Sequence, residues 1–96
     1  MIKVTEQELQ LVKKILHKHV PDYEVRVFGS RVDGTPKSYS DLDLVIIGKE
    51  KIPLETMIDL KDAFSESDLV FRVDILDWQR ISPEFRKVIE RKYAVI

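Results

Sequence analysis

Apolar positions along the chain follow two rhythms, and each predicts its own kind of element. After Thr5-Glu6-Gln7-Glu8, the residues Leu9, Val12, Ile15, Leu16 and Val20 recur at helical spacing until Pro21. The Thr5 hydroxyl and Glu8 carboxylate suit a capping box at the start of that helix. From Glu24 to Phe28 the rhythm changes to alternation around Val25 and Val27, a half-buried strand that stops at Gly29-Ser30. Residues Arg31 to Ser40 are polar and rich in turn formers, so a loop, opening on one helical turn, leads to a second strand. That strand runs from Asp41 to Ile47, and its continuous Leu44-Val45-Ile46-Ile47 end places it centrally in a sheet.

Pro53 suits a first helical position, with Leu54, Met57, Ile58, Lys61 and Phe64 following at helical period to a stop near Ser67. Val70 to Leu76 reads as a third strand, with Phe71, Val73 and Ile75 on one face and Val70, Arg72, Asp74 and Leu76 on the other. Ser82-Pro83 caps and opens a last helix carrying Phe85, Val88, Ile89 and Tyr93. The order helix, strand, strand, helix, strand, helix predicts an α+β fold: a small mixed sheet with helices packed on one side.

Composition narrows this picture. With 96 residues, 44% hydrophobic and 34% charged, the chain has material for one modest core and reads as a single globular domain over residues 1–96. Sixteen basic against seventeen acidic residues leave a net charge of −1, so no overall field draws it onto nucleic acid. Cysteine is absent, which excludes disulfides and thiolate metal sites. The polar N-terminus is no signal peptide, and no apolar run approaches the roughly 20 residues of a membrane span, so a cytoplasmic protein is expected. His17 and His19 point about 200° apart around the first helix and cannot share a metal.

Chemistry concentrates in Phe28-Gly29-Ser30-Arg31 and Asp41-Leu42-Asp43-Leu44. Gly29 permits close approach of a ligand or backbone, and Ser30 offers a hydroxyl and an N–H to phosphate oxygen. Asp41 and Asp43, two apart on a strand, project from one face, while Leu42 and Leu44 point into the core and so aim the acidic pair. Asp74 supplies a third carboxylate where an apolar residue is expected between Val73 and Ile75. Two such anions about 5 Å apart repel by roughly 3 kcal/mol at an effective dielectric near 20, so the cluster calls for a cation. Magnesium fits an all-oxygen set that also meets phosphates, with manganese as a substitute.

The stretch GSRVDGTPKSYSDLDLVI, a Gly-Ser followed by Asp-x-Asp, resembles the signature of the polymerase-beta-like nucleotidyltransferase superfamily. The GSR opening and short length resemble its minimal nucleotidyltransferase (MNT) branch, and FRVDILDW matches the third-carboxylate strand. The resemblance covers most of residues 24 to 78. It implies a polymerase-beta-like fold in which Gly29 and Ser30 grip the triphosphate of ATP or another nucleotide, with Arg31 beside them. Asp41 and Asp43 would bind two magnesium ions, and Asp74 would bind the catalytic one and help deprotonate an acceptor hydroxyl. MNT proteins of this size resemble the antitoxin half of toxin–antitoxin pairs. The family then implies AMP transfer from ATP to a tyrosine of a helical HEPN ribonuclease partner.

Other readings compete for individual residues. An isolated Asp41 is ordinarily a capping residue, and Asp-x-Asp alone also occurs in glycosyltransferases, which need a longer chain. Asp77 rivals Asp74, but strand phase favours Asp74. Arg31 can meet phosphate or form a surface ion pair, and Lys37 can reach phosphate or remain solvated. Arg72 shares the face of Asp74. Trp78 with Tyr93 and Ala94-Val95-Ile96 forms either core or a partner-binding patch. Two alternatives to the protein adenylyltransferase remain: a binding module that silences its partner by contact, and nucleotidyl transfer to RNA or a small molecule.

Overall fold

The capping box forms as expected in the computed structural model, which describes residues 2–96. Glu8 N–H donates to the Thr5 hydroxyl at 3.1 Å and Thr5 N–H to the Glu8 carboxylate at 2.8 Å, opening helix α1, Glu6–His19. Strand β1, Glu24–Phe28, leads through the single turn α2, Ser30–Asp33, to β2, Leu42–Ile47. Then follow α3, Leu54–Ser65, β3, Val73–Asp77, a 3₁₀ turn at Trp78–Arg80, α4, Pro83–Arg91, and β4, Ala94–Val95.

The four strands form one mixed sheet in the order β3-β2-β1-β4. β1 runs antiparallel to β2 and β4, whereas β2 and β3, joined through α3, are parallel. The alternation read from the sequence sorts the side chains. Val25, Val27, Leu42, Leu44, Ile46 and Ile75 meet Val12 and Leu16 of α1 and Met57, Leu60 and Phe64 of α3 in one core. Phe28, Asp43 and Asp74 are left for the opposite face. There α4 contributes Phe85, whose ring meets Phe28 edge-on at 5.9 Å between centroids. Arg26 lies between Trp78 and Tyr93, at 5.3 and 4.4 Å from their ring centres, so Trp78 is half-buried against cations.

Several boundaries differ from expectation for identifiable reasons. β3 begins at Val73, not Val70, because it is an edge strand whose partner among the described residues, β2, begins at Leu42. The Arg72 carbonyl takes the Leu42 N–H at 2.9 Å, and Val70, 70% exposed, lies beyond the ladder. Pro53 is the cap of α3 and not its first residue, its carbonyl accepting from Met57 at 3.1 Å. Tyr93 lies past the end of α4, where its ring covers Arg26. Strand β4 was absent from the expected order; two residues carry too little alternation to announce a strand, yet they pair with Arg26 and Val27.

Candidate functional site

The site grows from the place where β1 ends. Gly29 has φ 81° and ψ −158°, a conformation open to glycine and costly for other residues. A Cβ built there would collide with a carboxylate oxygen of Asp43 and stand 3.3 Å from its Cγ. Glycine is therefore needed twice: to turn the chain and to let the β2 aspartate lie against the turn. Val32 and Asp33 donate to the Gly29 carbonyl at 3.0 and 2.9 Å, and Gly34 to that of Ser30 at 2.9 Å. The N–H groups of Ser30 and Arg31 precede these bonds, as the first donors of any helical turn do. The Ser30 side chain is exposed beside them.

Parallel pairing of β2 with β3 puts Asp43 directly opposite Asp74, and antiparallel pairing puts Phe28 opposite Asp43 on the other side. Asp41 lies exposed in the loop one residue before β2 and not within the strand, as the sequence pattern had it. Burial, then the charge of Asp74, then that of Asp41, push the half-buried Asp43 carboxyl up to about 6 from 3.8. Asp43 thus feels the charge of both other aspartates. Among the described residues, no three His, Cys, Asp or Glu side chains are drawn tightly enough together to form a ready-made metal cage. Asp74 is met by Arg72, whose Nε and Nη2 both stand 3.3 Å from its Oδ1, an exposed and weak ion pair.

A cleft of about 700 Å³ runs along β3. Asp43, Asp74, Phe28 and Phe85 line it on the acidic side, and Lys61, Phe64 and Ser65 of α3 reach it around the strand edge. Phe28 could be placed on the acidic face from its phase in β1, but nothing in the sequence signals that Phe85 meets it.

Arg31 is buried beneath the turn. It is 3% exposed, and its guanidinium donates to the carbonyls of Ser40 (2.9 Å), Lys3 (2.8 Å), Lys37 (3.2 Å) and Ser38 (3.1 Å). Its side chain is engaged with these four carbonyls and forms no ion pair among the described residues, while its backbone N–H stays at the turn. Lys37 is an exposed loop lysine with Nζ 5.8 Å from the Tyr39 ring centre. Asp77 is withdrawn from the site altogether. It is 4% exposed and accepts from Ile52 N–H at 2.8 Å, Gln79 N–H at 3.0 Å and Arg80 Nη1 at 2.7 Å.

A Gly-Ser turn set against facing aspartates on a mixed sheet defines a class that comparison makes explicit. The chain belongs to the family described as Polymerase beta, Nucleotidyltransferase, whose model matches residues 10–96, and it is a nucleotidyltransferase. Within that class it is similar to the Haemophilus influenzae protein named "Probable protein adenylyltransferase MntA". The two are 52% identical over 95 residues, which span 99% of this chain and 83% of the relative. Among solved structures, a mutant of the toxin–antitoxin MntA–HpeT has a similar fold, with a TM-score of 0.73 at 18% identity over 96% of this chain and 72% of that one. The spectinomycin adenyltransferase of Enterococcus faecialis, solved with ATP and spectinomycin, matches with a TM-score of 0.54 at 20% identity over 96% of this chain and 48% of that one. At these identities the two structures speak for the fold alone. No helix among the described residues is long and apolar enough to cross a membrane.

Proposed function

We propose that this protein transfers AMP from ATP to a hydroxyl of a protein partner, a tyrosine of a helical HEPN-type toxin, and so acts as an antitoxin. The observation that carries the reading is the register of β2 against β3, which sets Asp43 opposite Asp74, with Asp41 close enough to raise the Asp43 pKa and Gly29 giving way to the Asp43 carboxylate. The similarity to a protein named an adenylyltransferase supports the choice of AMP and of a protein acceptor. The relative at 52% identity carries the name MntA, which is also that of one component of the solved toxin–antitoxin, and this shared name supports the kind of partner.

The chemistry of the donor set fits a divalent cation: Asp43 and Asp74, both partly buried, line one cleft, and the charges of Asp74 and Asp41 both bear on the Asp43 carboxyl. Asp41, Asp43 and Asp74 would hold magnesium, two ions in the family's manner, with manganese as a substitute. Bound magnesium supplies positive charge against the triphosphate and the pyrophosphate leaving group. Ser30, through its hydroxyl and the turn's N–H groups, holds phosphate oxygens in place. The acceptor oxygen attacks the α-phosphorus, the bond to the β-phosphate oxygen breaks, and pyrophosphate departs. In the family's pattern Asp74, which lines the cleft beside Asp43, would also receive the acceptor's proton.

Incubation with labelled ATP, magnesium and the product of the neighbouring gene tests this. Whole AMP units should appear on the partner by mass spectrometry and vanish with Asp41→Asn or Asp43→Asn. Neutralisation of the partner without any mass shift, unchanged in those variants, would replace catalysis by binding alone.

A further inference from the structure

One buried side chain touches the segment beside each part of this site. The Arg31 guanidinium bonds to the Ser40 carbonyl, in the peptide that joins Ser40 to Asp41. It bonds to the Lys37 and Ser38 carbonyls in the same loop and to Lys3 ahead of α1. Its flat face lies 4.2 Å from the ring centre of Phe71, three residues before Asp74 on the segment that enters β3. By its own backbone it adjoins Ser30. At 3% exposure, and with four of its five N–H donors on carbonyls, it is a fixed brace and not a mobile ligand.

We propose that Arg31 is a positioning residue for nucleotidyl transfer, setting Asp41 and the entry to the Asp74 strand relative to the Gly-Ser turn. The proposal rests on the reading of function above. Its reasoning is geometric. Asp41 stands one residue before β2, so pairing holds it on one side only, through the Leu42 N–H on the Arg72 carbonyl, and its other side depends on the loop. Of the bonds that hold its loop, those from Arg31 reach residues 37, 38 and 40 from a single rigid fork, complemented by Ser40 Oγ accepting from Lys37 N–H at 2.9 Å. A fork with fixed angles transmits position in a way that a lysine's single ammonium cannot. Displacement of a cation-binding carboxylate by about 1 Å suffices for losses on the order of 100-fold in rate.

The test compares Arg31→Lys, which keeps the charge and loses the fork, with Phe71→Leu, which keeps the fork and loses the stack. Each is assayed well below its melting temperature for AMP transfer, and by calorimetry for Mn2+ binding to the protein without nucleotide. For Arg31→Lys, kcat should fall roughly 100-fold while KM for ATP stays within about threefold, and Mn2+ affinity should drop about tenfold. Phe71→Leu should shift kcat and Mn2+ affinity the same way by smaller factors, and it alone decides the matter if Arg31→Lys does not fold. Unchanged kcat and Mn2+ affinity in the folded variants would overturn the proposal. So would a raised KM with kcat preserved, which would make Arg31 a nucleotide ligand. If the wild-type protein transfers no AMP, the reading of function fails, and the Mn2+ titrations still decide whether Arg31 sets the carboxylates.

Discussion

At the scale of single residues, Gly29 and Asp43 form one device. The carboxylate occupies the space a Cβ would need, and the backbone at φ 81° and ψ −158° is nearly closed to other residues. Gly29→Ala should therefore lower stability by about 1–3 kcal/mol in urea denaturation. It should also displace Asp43 and remove AMP transfer from the molecules that remain folded. Asp43 has its own signature in pH. The native carboxyl keeps its proton up to about 6, whereas an unfolded aspartate releases it near 3.8, so between these values the native state binds more protons. The stability this provides is complete below about 3.8 and is lost as pH rises through about 6. Asp43→Asn should accordingly stabilise the protein at pH 7.5 by about 1 kcal/mol, allowing for solvent screening of a half-exposed group, and flatten the slope between pH 4 and 6. Thermal melts across that range check it, and no gain at pH 7.5 would contradict the crowding of the three aspartates.

Elements were legible in proportion to how many residues declared them. α1 carried a capping box and four apolar turns, and β1 a clean alternation, and both appear where the pattern placed them. β3 was legible in phase but not in extent, because its length depends on where β2 starts, a fact about a partner and not about its own residues. Phase was what the site needed: it put Asp74 opposite Asp43 and sent Asp77 elsewhere. What Asp77 does instead was hidden, since its partners, Ile52 and Arg80, lie in connecting segments. It ties the entry to α3 to the turn after β3, with Arg80 Nη1 also bonded to the Ile52 carbonyl at 2.7 Å. Asp77→Ala leaves Ile52 N–H without its acceptor and Arg80 with the Ile52 carbonyl alone, and should cost about 1–3 kcal/mol in chemical denaturation. Activity per folded molecule should survive at temperatures where the variant is native. A loss of kcat without loss of stability would return Asp77 to the list of reacting groups. The Arg31 side chain shows the opposite limit: its neighbour Ser30 suggested phosphate, and only three-dimensional contacts with residues 3, 37, 38 and 40 reveal a brace.

Across the whole molecule the sheet separates two tasks by face. One face is sealed by α1 and α3 around fully buried Leu44, Ile46 and Leu60, and carries most of the apolar burial. The other presents like charges to a cleft that α4 only borders, through Phe85. Alternation along β2 makes the separation unavoidable, since Leu42 and Leu44 cannot turn inward without sending Asp43 outward. The arrangement predicts opposite outcomes for two substitutions on either side of the same strand. Leu60→Ala opens a cavity in the sealed core and should cost about 2–5 kcal/mol, with kcat for AMP transfer unchanged in the folded fraction. Asp43→Asn should remove transfer and raise the melting temperature. Under the proposed function, magnesium with ATP should stabilise the wild type and Leu60→Ala by a similar increment, because the acidic face is intact in both, and should have little effect on Asp43→Asn. Melting curves with and without magnesium and ATP, set beside initial rates, read all three proteins on one scale. If Leu60→Ala lost ligand stabilisation while remaining folded, the two faces would be mechanically coupled through β2, and the division of labour between them would not hold.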